Sequence, residues 1–280
     1  MLKKDKKLKY GSTIYYEDEL NDDFEKTNLK RIDIPEDFVY TPKSKWYKYF
    51  SNFIYFGIAV PILSLVTWCY GIKVKGKENL KKLNGENCFI YSNHTSFLDV
   101  FDIQVRVFPF KRTDILGYTD SLSNKFLGWI TKILGYMPIP DSPRTFRKFQ
   151  QALETRVSKM NRNVIIYPEA HIWPYYNDIR PFISTSFKYP AKLNRPIVPI
   201  TACYRKSKIS KHAKITLYIS EPIYPQEYLS VNENKEYLRD ECYKEMKRVS
   251  EKYSTYKFVN YVKKEGVNDE TKEWKTLRSR

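Results

Sequence analysis

Glycine is scarce in this chain, with nine in 280 residues. Loops that cradle phosphate on backbone N–H groups need glycine where the chain bends tightly or approaches the ligand. The sequence contains no G-x-G-x-x-G, no G-x-x-x-x-G-K-[ST] and no G-x-S-x-G. Dinucleotide folds, P-loop nucleotidases and α/β-hydrolase nucleophiles are thereby excluded. Cysteine is scarcer. Cys69, Cys88, Cys203 and Cys242 are scattered, no C-x-x-C pair occurs, and only three histidines exist to complete a ligand set. No metal site is expected, and unpaired cysteines fit a reducing compartment. No apolar stretch follows the charged start Met1-Leu-Lys-Lys-Asp-Lys-Lys, so no cleavable signal peptide is expected.

Acidic residues are also in deficit: 32 Asp and Glu against 49 Lys and Arg, a net charge of +17. Residues 1–48 net +1 and residues 49–70 carry no charge, which leaves +16 on residues 71–280. Such a surface favours anionic partners. Nucleic acid is one class, but no nucleic-acid motif is present, and that reading leaves the uncharged stretch unexplained.

That stretch, YFSNFIYFGIAVPILSLVTWCYGI over residues 49–72, has about the length needed to cross a bilayer. Lysines flank both ends, and Trp46, Tyr47, Tyr49, Trp68 and Tyr70 sit where amphipathic rings prefer the interface. Pro61, Ser51, Asn52, Ser64 and Thr67 also suit a kinked or hairpin insertion into one leaflet, and a buried soluble helix is the third option. The expected organisation is a polar, loosely packed leader over 1–44, a membrane-associated helical segment over 45–71, a catalytic domain over 72–230, and a charged helix and tail over 231–280. Within the domain, strands at Ile72–Gly76, Asn87–Tyr91, Asn163–Tyr167, Ile197–Cys203 and Ala213–Ser220 alternate with helices at Ser96–Val107, Ser121–Leu134, Arg144–Met160 and Ser184–Leu193. Asn232–Tyr253 forms the terminal helix. The alternation predicts an α/β fold, a mixed sheet flanked by helices.

Two strand ends carry reactive groups. Asn87–Tyr91 runs into Ser92-Asn93-His94-Thr95-Ser96-Phe97-Leu98-Asp99. His94 is suited to general-base work near neutral pH. In a continuous helix Asp99 would be rotated about 500° from it, so the pair meets only if His94 lies in the loop before the helix. Asp99 could then orient the imidazole and stabilise the imidazolium. Ser96-Phe-Leu-Asp99 also fits a capping box, in which Asp99 only starts a helix. The second end is Val164-Ile-Ile-Tyr-Pro168-Glu169-Ala-His171, where Glu169 is a carboxylate at a strand tip or a cap for the next turn. Arg144, Arg147, Lys148, Arg180, Lys188 and Lys192 are nearby cations for a phosphate-bearing substrate.

Taken in order, these blocks resemble the glycerolipid acyltransferase family, which includes lysophosphatidic acid acyltransferases. Asn93–Asp99 fits the N-H-x-x-x-x-D block, Tyr167-Pro168-Glu169 the start of F-P-E-G-T-R, and Pro196-Ile-Val-Pro199-Ile200 the late V-P-[VI] block; Ile72–Leu80 resembles the preceding segment. The likeness spans roughly residues 72–225. It implies a glycerol-3-phosphate acyltransferase-like fold and direct acyl transfer without an acyl-enzyme. His94 would be the base, Asp99 its orienter, and Glu169 a substrate-binding residue; no metal or redox cofactor is implied. Donors would be acyl-CoA or acyl carrier protein, and the acceptor a lysophospholipid, 1-acyl-glycerol-3-phosphate first, at the cytoplasmic face of a membrane. Two phosphate contacts depart from the pattern. Ala170-His171-Ile172 replaces Gly-Thr-Arg, and Asp141 replaces an arginine after Gly135-Tyr-Met-Pro-Ile-Pro. Arg144, His171 and Arg180 are the expected substitutes. The departures also leave open a non-catalytic lipid-binding protein that keeps the fold.

Overall fold

The computed structural model of the chain describes residues 8–24, 32–96, 99–208 and 213–264. In chain order these form β1 (Ser12–Tyr16), α1 (Lys45–Asn52), α2 (Val60–Cys69), β2 (Lys73–Lys75), β3 (Phe89–Ser92), α3 (Asp99–Arg106), β4 (Thr113–Gly117), α4 (Lys125–Ile133), β5 (Tyr136–Pro138), α5 (Pro143–Glu154), β6 (Asn163–Ile166), α6 (Lys188–Leu193), β7 (Ile197–Lys206), β8 (Ala213–Ile219), α7 (Val231–Tyr253) and β9 (Val259–Lys263). Phe97 and Leu98 of the His94–Asp99 block lie outside the described residues.

Seven strands make one mixed sheet in the order β2-β8-β7-β3-β6-β4-β5. The pairs of β3, β6, β4 and β5 are parallel, as are β3 with β7 and β2 with β8; β7 and β8 are antiparallel. The centre is apolar on both faces, as covered parallel strands require. Because side chains alternate, Phe89, Tyr91, Val164 and Ile166 face one core with Phe149 and Leu153 of α5, Phe187, and Leu238, Cys242 and Met246 of α7. Ile90 and Ile165 face the other, with Ile103 of α3 and Val107. Helices on both faces are what the strand–helix alternation predicted. β1, β4, β5 and β9 were not foreseen. β5 has three residues, and β1 and β9 carry tyrosine, asparagine and lysine rather than a buried apolar run.

The leader is not loosely packed where it is described. β1 pairs in parallel with β9, register Ser12↔Val259 to Tyr16↔Lys263, so the two ends of the chain form their own ribbon. Ile34 and Tyr40 are buried in the main core, and Tyr40 donates its hydroxyl to Pro138 O at 3.0 Å.

The uncharged segment forms one helix, Lys45–Cys69, long and apolar enough to cross a membrane, with a π-helical stretch at Phe53–Ala59. Pro61 lies inside this helix just after the π-helical stretch, where the N–H it lacks leaves a carbonyl of the preceding turn without that donor, yet the backbone stays helical on both sides and no hairpin forms. The helix is amphipathic in the inverted sense. Ser51, Tyr55 and Thr67 face the domain, while Trp46, Tyr49, Phe53, Ile62, Leu65 and Trp68 are more than half exposed. Both ends are tied down. Ser51 donates to Ile133 O at 2.7 Å, and Arg106 donates to Ile72 O at 3.2 Å just beyond the other end.

Gly135, between α4 and β5, has φ 103°, and a Cβ there would meet Asp114 Oδ1 at 2.3 Å. Gly135→Ala combines that collision with a strained φ. It is expected to lower the free energy of unfolding in urea by about 2 kcal/mol or more.

Candidate active site

The C-terminal ends of β3 and β6, neighbours in the sheet, bring the two polar loops side by side. After β3 the chain is held by side chains standing in for a ladder. Asn93 Nδ2 donates to Ala202 O at 3.1 Å and its Oδ1 accepts from Ala202 N–H at 2.8 Å, which bolts the loop to β7. Tyr204, also on β7, donates to Thr95 Oγ1 at 2.8 Å. From the other side Trp173 N–H donates to His94 O at 3.1 Å and Tyr175 N–H to Thr95 O at 3.0 Å. His94 is therefore in the loop, and Asp99 opens α3, the one arrangement in which the two can meet.

Asp99 is buried. Its Oδ2 accepts the Thr95 N–H at 2.6 Å and the Ser96 N–H at 2.7 Å, and lies 3.6 Å from His94 Nδ1. The bond to Ser96 is half of a capping box, so one carboxylate shapes the turn and faces the imidazole. At 3.6 Å the contact to His94 is long for a hydrogen bond, and Nδ1 is buried with no other partner. A small ring rotation closes it, and catalytic bonds are commonly long in unliganded proteins. The His94 side chain is 12% exposed. With Nδ1 buried, that exposure belongs to the opposite edge, which carries Nε2.

Tyr167 forms the wall behind His94. Its ring stacks on the imidazole with centroids 4.3 Å apart and planes 21° from parallel, and its hydroxyl donates to Asp99 O. Burial, then the charges of Asp102 and Asp99, push this phenol well above its ordinary range, so it stays a donor. Asp102, one turn along α3, is fully buried with no hydrogen bond on either oxygen. Burial and the Asp99 charge push its carboxyl well above the usual range. The roles of Tyr167, Tyr204 and Asp102 were not read from the sequence; the tyrosines look like ordinary strand residues, and Asp102 like part of a polar helix face.

Glu169 and Arg180 meet, but not at an open surface. Both side chains have no exposure, and Arg180 Nη2 lies 3.4 Å from Glu169 Oε2. Glu169 also accepts the N–H of His94 at 3.3 Å on Oε2 and of Arg180 at 3.0 Å on Oε1. Burial pushes the Glu169 carboxyl up, opposed by the Arg180 guanidinium and those two N–H groups. Arg180 further donates to Glu169 O at 3.2 Å, to His171 O, and to Glu19 O in the leader at 3.1 Å. Its guanidinium lies over the buried Trp173 ring, 4.8 Å from the centroid. These two residues, expected at the substrate, are sealed from solvent here and fasten the loop under His94. Trp173 is clamped in turn by Tyr16, Phe24 and Tyr261, with centroids 4.9–5.0 Å away, and donates Nε1–H to Asp22 O at 2.7 Å.

The other two residues stay near the surface. His171 is partly exposed, with Nδ1 3.6 Å from Asp23 Oδ2 and its ring facing Tyr118 at 6.5 Å. Arg144 is 82% exposed at the start of α5 and pairs with Glu36 at 3.2 Å. It makes no contact with the His94–Asp99–Glu169 group. No cluster of His, Cys, Asp and Glu able to hold a metal occurs among the described residues.

Residues 71–202 match the family model described as Acyltransferase. No curated protein matches the chain. Among solved structures, the chain is similar to the 1-acyl-sn-glycerophosphate (LPA) acyltransferase PlsC from Thermotoga maritima. The TM-score is 0.49 and the identity 16%, over 73% of this chain and 93% of that chain.

Two stability outcomes follow from the loop. Ala170 sits at φ 64°, a left-handed conformation that costs an L side chain about 1 kcal/mol and glycine nothing. Ala170→Gly is expected to leave the thermal midpoint unchanged or raise it, the reverse of the usual effect. Arg180→Met strands a buried carboxylate and is expected to cost about 3–5 kcal/mol. The Glu169→Gln, Arg180→Met double variant should lose less than the two single losses added, measured by chemical denaturation.

Proposed function

We propose a reaction for this chain, which through residues 71–202 belongs to the glycerolipid acyltransferase family: transfer of a fatty acyl group from acyl-CoA or acyl carrier protein to a hydroxyl of a lysophospholipid, with 1-acyl-glycerol-3-phosphate the first choice of acceptor and phosphatidic acid the product. The observation that carries it is the buried Asp99 carboxylate 3.6 Å from the buried Nδ1 of His94, on an imidazole that keeps 12% exposure. Asp99 favours the tautomer with the proton on Nδ1, leaving Nε2 as the base. Nε2 takes the acceptor hydroxyl proton as that oxygen attacks the thioester carbonyl. When the tetrahedral intermediate collapses, the ester C–O bond remains and the C–S bond breaks. The thiolate leaves with the proton from the imidazolium. Asp99 stabilises that cation, and its bonds to Thr95 and Ser96 fix the carboxylate beforehand.

Glu169 serves this reaction by holding the His94 backbone, while His171 and Arg144 are left as the candidates for the acceptor headgroup. The exposed apolar face of Lys45–Cys69 supports membrane association. Because both ends of that helix are tied to the domain, we favour insertion in the plane of one leaflet over a span. The cytoplasmic side is assigned because thiol-bound acyl donors are made there.

The test is transfer of labelled acyl chains to a panel of lysophospholipids by the purified full chain. His94→Ala is expected to lower kcat/KM by about 10²–10⁴. Asp99→Asn keeps an acceptor for the Thr95 and Ser96 N–H groups, so it should stay folded and lose about tenfold or more in kcat. Wild-type turnover that persists in His94→Ala removes the residue from the mechanism.

A further inference from the structure

Five cations line one pocket at the end of the sheet opposite His94: Lys48 of α1, Lys132 of α4, Arg112, Arg156 and Arg162. Its cavity is about 20 Å³ and opens to solvent, and no carboxylate is among its lining residues. Asp114, fully buried on β4, pairs with Arg156 and with Arg162 at 3.0 Å each. Three buried or nearly buried guanidiniums thus have a single carboxylate among them, and two of them hold it. Arg112 is the one without it. Its Nη atoms reach Ser51 Oγ and Asn52 Oδ1 at 2.7 Å and Ile133 O, neutral acceptors all. Burial lowers its pKa to about 10 and pushes Arg162 down, the mark of cations held against solvation and each other. Donors are also left over. Arg156, only 6% exposed, has no hydrogen-bond partner on Nε; neither has Arg112 on Nε nor Thr41, another lining residue, on Oγ1. Uncompensated buried charge is costly, and three guanidiniums to one carboxylate leave this pocket with a surplus of positive charge.

Topology separates this pocket from the catalytic loops. Arg112 and Arg162 immediately precede β4 and β6, while His94 and Glu169 follow the far ends of β3 and β6. Four residues of strand at about 3.3 Å each put roughly 13 Å of sheet between them. Position also selects the anion. Tyr47, Lys48 and Ser51 bring α1 into the lining, and on that helix Trp46, Tyr49 and Phe50 point outward. Rings of this kind settle at the depth of lipid headgroups, where phosphate is the anion at hand. We propose that this pocket binds the phosphate of an anionic membrane lipid, as a second site distinct from the catalytic one. The inference rests on the membrane placement of Lys45–Cys69 and not on the chemistry of His94.

The test compares two charge-matched pairs in the full chain: Lys48→Ala with Lys132→Ala in the pocket, and Lys43→Ala with Lys45→Ala at the same helix end but outside it. Vesicles of phosphatidylcholine carrying a minority of phosphatidic acid are the probe. The pocket pair should lose at least about tenfold more binding than the outside pair, with little difference on pure phosphatidylcholine. Inorganic phosphate at matched ionic strength should raise the wild-type thermal midpoint and leave that of the pocket pair unmoved. Equal losses from the two pairs overturn the proposal, because they report charge alone. A phosphate-induced shift with no difference on vesicles overturns the lipid assignment. His94→Ala should bind both probes as wild type does, so failure here and failure of the transfer mechanism are told apart.

Discussion

One carboxylate oxygen organises this site. Asp99 Oδ2 gathers two backbone N–H groups at 2.6 and 2.7 Å and faces a histidine nitrogen at 3.6 Å. The same bonds that start α3 fix the position of the negative charge. A carboxylate already held by N–H donors does not need to reorganise when a positive charge forms beside it. The helix-capping and catalytic readings of Asp99 are therefore two consequences of one geometry.

Around that oxygen, buried charge works as a fastener. Glu169 and Arg180 satisfy each other, the His94 N–H, two loop carbonyls and a leader carbonyl without touching solvent. Such a pair contributes little net stability against an apolar replacement, yet breaking one half is costly. Its value lies in register: the loop after β6 can take one position only, with Trp173 beneath it and the β1–β9 ribbon closing over the ring. The chain ends, polar and separated by most of the sequence, thus reach the catalytic loop through an indole.

The two ends of the sheet divide the work. At the C-terminal ends of β3 and β6 stand the histidine and its supports. At the opposite end the apolar helix is docked through Ser51, Asn52 and Tyr55 onto Arg112, whose guanidinium lies over the Tyr55 ring at 4.8 Å. A helix that turns polar groups inward and large apolar groups outward is stable only where its outer face leaves water. The exposed apolar helix and the His94 loop thus stand at opposite ends of one sheet.

The sequence by itself determined β3, β6, β7 and β8, the main helices between the strands, the uncharged helix and the identity of the His94–Asp99 pair. Each is written locally: in apolar runs of four to six residues, in 3.6-residue periodicity, or in a short motif whose spacing admits one loop geometry. It also placed Glu169 and Arg180 near the site, but it assigned them to substrate. Only the tertiary structure decided that they are sealed together, that Tyr167 backs the imidazole, that residues 12–16 pair with 259–263, and that Arg156 and Arg162 converge on one aspartate. None of these has a local signal. Whether a charged side chain meets solvent, a ligand or a buried partner depends on which distant segment is packed over it, and that is fixed only when the sheet and its two covering layers close.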